Sequence, residues 1–234
     1  MSLNRDSIKA GMVQDIVAEA ERLGLVTLMS EADRKESRRQ TLAARPAGAG
    51  DVWVFGYGSL MWNPAFEHEE TRSARLHGYH RAFCLWTHVG RGSPDCPGLV
   101  LGLDRGGSVA GMVLRLHPDK VEEELDIVWS REMVTAAYRP RWMRVVTPSG
   151  PVHAIAFLIN RAHPRYAGKL KEEEAARVIA TAEGRLGPCR DYLESTVTAL
   201  QKLGIADGRM EGLLQRVQAL RQAGASPRME EQRA

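Results

Sequence analysis

The chain has 234 residues, of which 44% are hydrophobic and 26% charged, the balance of an ordinary globular protein. The formal net charge of +3 is small for this length. It indicates neither a nucleic-acid binder nor a membrane-surface protein, and it leaves the oligomeric state open. Three cysteines without paired spacing predict reduced thiols in a cytoplasmic protein, and the sequence carries neither a membrane-length apolar run nor the apolar core of a signal peptide.

The first 50 residues differ in pattern from the rest. Apolar side chains recur every fourth position from Ile8 to Ala20, which predicts one amphipathic helix. Residues 30–45 are polar and charged and lead into the small-residue stretch 46–50, which is typical of a linker or an irregular arm. Residues 1–50 are therefore predicted to be an N-terminal helical extension and linker.

From residue 51 the pattern becomes strand-like and indicates an α+β fold. Six or so strands joined mainly by hairpins favour an antiparallel or mixed sheet, which can close into a small barrel to remove its edges. One hairpin is predicted around the turn residues 104–107 and a second around 148–150. The apolar runs that predict strands are residues 52–57, 76–86, 99–103, 109–116, 142–147 and 152–159.

Helices are predicted between the hairpins and in the last third of the chain. One should begin near Pro118 and end near Ser130. Later apolar faces run from Val178 to Leu186 and from Leu193 to Leu200, and Asp207 can cap a final helix. The polar end of the chain predicts disorder. We thus expect a catalytic domain over residues 51–222 and a disordered tail over 223–234.

The run VFGYGSL at residues 54–60 is the first candidate for a binding loop. Two glycines bracket Tyr57 at the end of a buried strand, and the N–H groups of such a turn can hold a carboxylate or an oxyanion. The same run also fits a tight turn around a packed tyrosine, and spacing alone favours that interpretation.

Other constellations give weaker signals. Cys84 beside His80 and His88 resembles a thiol nucleophile with a base, although a small apolar core residue is the simpler interpretation of a mid-strand cysteine. The histidines lack the spacing of a metal site, so no metal is predicted. The glycine- and proline-rich residues 90–98 predict a flexible loop able to cover a site.

Three ordered segments together resemble the ChaC-type γ-glutamylcyclotransferases. They are residues 54–60 with MWNP at 61–64, VWSREM at 128–133 and GPCRDY at 187–192, and the resemblance spans residues 51–217. It implies a small closed β-barrel with flanking helices. It also implies conversion of a γ-glutamyl compound, glutathione for this type, to 5-oxoproline and a free amine, without metal or cofactor.

The resemblance implies that Glu132 is the catalytic acid and base. From the residues alone, a surface residue at a helix end paired with an arginine is the favoured interpretation of Glu132, since charged residues are usually exposed. Tyr192 is either a substrate contact or a buried helix tyrosine, and the role of Tyr138 stays open. Two alternative functions also stay open: cyclisation of other γ-glutamyl amino acids or amines, and a non-enzymatic binding protein. The implied substrate-binding residues are Val54, Phe55, Gly56, Tyr57, Gly58, Ser59, Leu60 and Tyr192.

Overall fold

The computed structural model describes residues 3–225 and consists of a β-barrel with helices around it. The helices are α1 (Arg5–Lys9), α2 (Met12–Arg22), α3 (Glu31–Ala43), α4 (Val121–Glu132), α5 (Glu172–Thr181), α6 (Cys189–Lys202) and α7 (Gly208–Ala225). The strands are β1 (Trp53–Gly56), β2 (Glu70–Thr87), β3 (Gly98–Arg115), β4 (Tyr138–Thr147), β5 (Gly150–Ile159), β6 (Glu183–Gly184) and β7 (Gly187–Pro188).

Five strands close the barrel in the order β1-β3-β2-β4-β5, and β1 pairs in parallel with β5 to complete it. The other principal pairs are antiparallel, so the predicted closed, mixed α+β barrel with flanking helices is confirmed. The hairpin predicted around residues 148–150 is confirmed as β4–β5, with Thr147 opposite Gly150. The other two strands, β6 and β7, form a separate two-stranded ribbon.

The hairpin predicted around residues 104–107 is wrong. β3 is one continuous strand, paired with β2 along its length. Gly106 and Gly107 have φ of 102° and 73°, and they lie opposite Gly78, whose φ is 86°. Glycines on both strands thus absorb a register shift as a bulge, which bends the sheet without reversing the chain.

The N-terminal extension is more helical than its pattern predicts. The single helix expected there is divided in two by Gly11, at φ 84°. The polar residues that precede the expected linker form α3, which begins after Ser30, whose hydroxyl accepts a hydrogen bond from the Asp33 N–H at 3.0 Å. Two tryptophans of the main domain hold α3, since Trp129 donates to the Ser37 hydroxyl at 3.2 Å and Trp142 to the Thr41 carbonyl at 2.6 Å.

The later helices follow the predictions with two exceptions. Asp207 caps α7 by accepting from the Met210 N–H at 3.2 Å, as predicted. However, α5 ends at Thr181, so the predicted face through Leu186 is wrong beyond that point, because the chain turns there into the β6–β7 ribbon. The predicted disordered tail lies mostly outside the described residues, and α7 reaches Ala225.

The barrel interior and the helices around it share one apolar core. Fully buried side chains from three strands, including Phe55, Leu101 and Phe157, meet α4 through Leu125 and Trp129. Among residues 3–225, no helix is both long enough and apolar enough to cross a membrane.

Candidate active site

The glycine-containing loop follows β1 and leads into a single 3₁₀ turn, Ser59–Met61. The first N–H groups of a helix have no partner within it, so this turn offers donors at its start. A pocket of about 30 Å³ lies against the loop, which exceeds the roughly 10–15 Å³ that one water molecule needs. Its lining residues are Tyr57, Gly58, Ser59, Leu60, Leu101, Glu132, Tyr138, Phe157 and Tyr192. We call it the amide pocket.

Gly58 packs closely against its neighbours. A Cβ at this position would lie 3.0 Å from the Tyr192 hydroxyl and 3.4 Å from Leu101 Cδ1. A Cβ at this position would therefore require the Tyr192 phenol to shift by a few tenths of an ångström. This contact joins the first and third of the sequence motifs at the pocket.

Glu132 is the last residue of α4, and its carboxyl group faces the amide pocket. Only 13% of its side chain is exposed, and the Arg131 Nε lies 3.1 Å from its Oε1. Burial raises the pKa of Glu132, and the charge of Arg131 opposes that rise only in part. Glu132 thus stands at a helix end beside an arginine, as one interpretation predicted, but it lies inside a pocket rather than on the surface.

Three tyrosines surround this carboxyl group. Tyr57 donates to the Phe157 carbonyl at 3.2 Å and Tyr138 to the Leu101 carbonyl at 2.7 Å, so both hydroxyls are anchored to the barrel. Burial raises the pKa of all three tyrosines, and Ser59 opposes this effect at Tyr192 by hydrogen bonding. Tyr57 and Tyr138 use their only O–H for these carbonyls, so towards a substrate they can act only as hydrogen-bond acceptors, and all three phenols, being neutral, add no negative charge near Glu132.

A buried arginine, Arg81, holds the loop in place by hydrogen bonding to its backbone. The Arg81 side chain is 2% exposed, and its Nε donates to the Tyr57 carbonyl while one Nη donates to the Ala110 carbonyl at 2.7 Å. The other Nη bonds to Asp207, the cap of α7. Arg81 therefore ties the loop, the barrel wall and the last helix together.

The structure divides the predicted substrate-binding residues into two groups. Tyr57 to Leu60 and Tyr192 meet Glu132 at the amide pocket. Val54, Phe55 and Gly56 lie in β1 within the barrel core and line neither this pocket nor the larger cavity beside it. Position along the chain explains the difference, because every residue of β1 is buried and the pocket forms only at the residues that follow its end.

Several lining residues carry no motif that could have identified them. Leu101 and Phe157 come from β3 and β5, and they look like ordinary core residues in the sequence. Tyr138, whose role the sequence left open, reaches the pocket from the first position of β4. Closure of the barrel brings them together, so their role depends on topology rather than on local pattern.

The thiol and metal alternatives gain no support from the structure. Cys84 is buried in β2, and burial raises the pKa of its thiol to about 12, which leaves little thiolate near neutral pH. Among residues 3–225, no group of three or more histidine, cysteine or acidic side chains could hold a metal ion.

The glycine-rich loop predicted over residues 90–98 packs closely at its base. A Cβ at Gly92 would lie 2.1 Å from the Gly98 nitrogen, and one at Gly184 would lie 2.3 Å from the Gly92 carbonyl oxygen. These glycines permit backbone contact between the loop and the β6–β7 ribbon. Gly90 and Arg91 face the larger cavity beside Glu132.

Known proteins resemble this chain over most of its length. A family model described as ChaC-like protein matches residues 52–220. A glutathione-specific gamma-glutamylcyclotransferase of Escherichia coli (strain K12) is 43% identical over 194 residues, covering 82% of this chain and 84% of that protein. The glutathione-specific gamma-glutamylcyclotransferase 1 of Mus musculus is 32% identical over 189 residues, covering 76% and 85%.

A solved structure shares the fold. The crystal structure of a selenomethionine-labelled γ-glutamyl cyclotransferase specific to glutathione from yeast matches with a TM-score of 0.69 at 21% identity. The match covers 75% of this chain and 99% of that one.

Proposed function

This chain belongs to the ChaC-like protein family, and we propose that it is a glutathione-specific γ-glutamylcyclotransferase that converts glutathione to 5-oxoproline and Cys-Gly. The observation that carries the proposal is the buried carboxyl group of Glu132, which stands between the amide pocket and a cavity of about 360 Å³. A buried base with binding space on both sides suits a reaction that divides one substrate into two parts.

The reaction needs no external nucleophile. The α-amine of the γ-glutamyl group attacks its own γ-carbonyl carbon, a ring C–N bond forms, and the bond to the cysteinyl nitrogen breaks. Intramolecular attack in a held geometry can supply about 7–11 kcal/mol of the barrier, so the enzyme mainly has to fold the substrate into its reactive shape.

Glu132 moves the two protons that this reaction transfers. The substrate amine is an ammonium at neutral pH, since an α-amino group has a pKa of about 8, and it cannot attack in that form. Glu132 takes one proton to free the attacking amine and gives it to the leaving nitrogen. After attack the ring nitrogen carries a second surplus proton, which the same carboxylate takes and passes to the departing amine, so that amine leaves as an ammonium. Two protons thus pass in turn through one carboxyl group, and the proton balance closes. The raised pKa of Glu132 makes it a stronger base when ionised and a competent acid when protonated.

The loop donors act on negative charge. The N–H groups at the start of the turn Ser59–Met61 are suited to the γ-glutamyl α-carboxylate or to the oxyanion that develops on the γ-carbonyl. Tyr192, packed edge-on against Trp62 and Phe83 with ring centroids 6.0 Å away in each case, presents its hydroxyl to the same space. We assign the substrate contacts to Tyr57–Leu60 and Tyr192.

The cytoplasm is the compartment we propose for this reaction. Cys84, Cys96 and Cys189 are all free thiols, and unpaired cysteines are typical of proteins kept in a reducing environment.

Release of 5-oxoproline from glutathione by the purified protein tests the proposal. We expect activity in the wild type and a loss of about 10²–10⁴-fold in Glu132→Gln, the usual contribution of a general acid–base group. Glu174→Gln, an exposed change of the same chemistry on α5, is the matched control and should retain full activity. Circular dichroism and thermal unfolding would establish that Glu132→Gln is folded.

The same assay separates the alternatives. Product from γ-glutamyl-alanine but not from glutathione would assign the enzyme to other γ-glutamyl substrates. A folded wild type that makes no product from either substrate would favour a binding protein. Equal activity in Glu132→Gln and wild type would remove Glu132 from the mechanism.

A further inference from the structure

A cavity of about 360 Å³ adjoins the amide pocket, within the roughly 300–1,000 Å³ range of small-molecule sites. The two spaces share Ser59, Glu132, Tyr138 and Tyr192 in their linings. If the γ-glutamyl head occupies the amide pocket, the bond that breaks lies beside Glu132. The remainder of the substrate must then extend into this larger space, which we call the outer cavity.

One wall of the outer cavity comes from the N-terminal extension. Val13, Ile16 and Val17, successive turns of α2, line it. The helix is held in place by packing of Ile16 on Val89 and by an ion pair of 3.3 Å between Glu19 and Arg185. An apolar wall at this position suits the short, weakly polar side chain of a cysteinyl residue.

Two guanidinium groups in the outer cavity have no ion-pair partner among residues 3–225. Arg91 donates to the Pro188 carbonyl at 3.2 Å, and Arg165 donates to the Trp86 carbonyl at the same distance. The buried Nε of Arg165 has no hydrogen-bond partner at all in the described chain. Burial lowers the pKa of both arginines, and for Arg91 the nearby charge of Asp191 opposes this effect only in part.

Unpaired polar groups are concentrated in the lining of the outer cavity. Among the described residues, four buried side-chain atoms lack a partner, and three belong to Trp62, His88 and Arg165, all of which line the outer cavity. Buried donors and cations are normally satisfied, so a cluster of exceptions calls for a partner that is anionic or rich in acceptors.

We propose that the outer cavity binds the Cys-Gly part of glutathione, with Arg91 and Arg165 holding its terminal carboxylate and α2 covering the cysteinyl side chain. This rests on the proposed function and adds the basis of its selectivity. A γ-glutamyl amino acid places its carboxylate one residue closer to Glu132, where it does not reach the same cations. The extension, outside residues 52–220, therefore completes the substrate site.

The carboxylate contact is tested by comparing glutathione with its glycine monoethyl ester, in which the terminal charge is removed. A charge-assisted hydrogen bond corresponds to roughly a 10- to 100-fold effect, so we expect kcat/KM for glutathione to exceed that for the ester by this factor in the wild type. Arg91→Met and Arg165→Met should bring the ratio towards one. Arg177→Met, a matched change on the exposed face of α5, should leave the ratio at its wild-type value.

The role of α2 is tested by placing larger side chains on the part of the helix that lines the outer cavity. Val17→Phe, and Val13→Phe as an independent second variant, should lower kcat/KM for glutathione at least fivefold more than for γ-glutamyl-alanine, which is shorter. Equal losses for both substrates in both variants would overturn the role of α2.

Binding measurements separate this proposal from the proposed reaction. Calorimetry on Glu132→Gln, alone and combined with Arg91→Met or Arg165→Met, should show about tenfold or greater weakening of glutathione binding on loss of either arginine, the effect of one charge-assisted bond. If binding weakens in this way but the wild type releases no 5-oxoproline, the subsite is supported and the proposed reaction is overturned. If both arginine variants turn over glutathione and keep the wild-type ratio of kcat/KM between glutathione and its ester, the reaction is supported and the subsite is overturned.

Discussion

Replacement of Arg81 by methionine should destabilise the fold and the active-site loop together. The change leaves two buried carbonyl oxygens, those of Tyr57 and Ala110, without their donor, and it leaves the Asp207 carboxylate without its counter-charge. Breaking a buried ion pair typically costs about 3–5 kcal/mol. Because the Asp207 side chain is 22% exposed and water can solvate it in part, we expect the lower half, about 3–4 kcal/mol.

Urea unfolding followed by the fluorescence of the five tryptophans measures this cost. A loss of 3–4 kcal/mol corresponds to a fall in Tm of about 6–16 °C for a chain of this size. Arg81→Lys keeps the charge but cannot reach three partners at once, so it should lie between wild type and Arg81→Met. Arg177→Met, on the surface, should stay within about 0.5 kcal/mol of wild type.

The same variant tests whether the support matters for function. Loss of the Tyr57 carbonyl anchor should lower kcat/KM for glutathione at temperatures where Arg81→Met is still folded. Arg81→Met with a loss below 1 kcal/mol and wild-type kcat/KM would refute the reasoning, since it would mean that the three hydrogen bonds support neither the fold nor the loop.

Three further predictions concern the site and the extension. The kcat/KM of the wild type should fall as pH drops through the raised pKa of Glu132, which lies above the ordinary value of 4.5. In the same window the folded state binds more protons than the unfolded state, so stability falls as pH rises. Glu132→Gln should therefore gain stability relative to wild type as pH rises from 4.5 through that raised pKa, measured by urea unfolding. Gly58→Ala should cost about 1–3 kcal/mol of stability and lower kcat/KM. The double variant with Tyr192→Phe should lose less stability than the sum of the two single losses, because it removes the hydroxyl that the new Cβ would contact. Strict additivity would contradict this contact. Arg5→Met should lower the free energy of unfolding in urea by about 2–3 kcal/mol, because the fully buried Glu124 carboxylate loses its bidentate partner. The expected loss is below that of a fully buried pair because the Arg5 side chain is 23% exposed. An unchanged unfolding midpoint would contradict this.

Much of the fold was predictable because the relevant signals are local. The turn around residues 148–150 and the Asp207 cap are set by a few neighbouring residues, and both were predicted correctly. The bulge at Gly106–Gly107 was not, because a glycine pair that reverses a chain and one that bends a strand look alike until the partner strand is known. Gly78 on β2 decides between them, about 30 residues away.

The polar helix α3 shows a second kind of limit. Thr41 is its only buried residue, so the apolar periodicity that marks most helices is absent. Its position depends instead on hydrogen bonds from Trp129 and Trp142, and on the ion pairs of Arg38 with α4. Such partners cannot be assigned until the fold brings them together.

The site contains residues that local motifs identify and residues that only the fold brings together, and this division has a consequence for specificity. The groups proposed for the chemistry, Glu132 and the Tyr57–Leu60 loop, lie in the motifs because a base and a set of amides are needed for any γ-glutamyl ring closure. The parts of the outer cavity to which we assign selectivity, α2 with Arg91 and Arg165, lie outside the motifs. A chain with the same motifs but a different helix in place of α2 should therefore close the same ring while releasing a different amine.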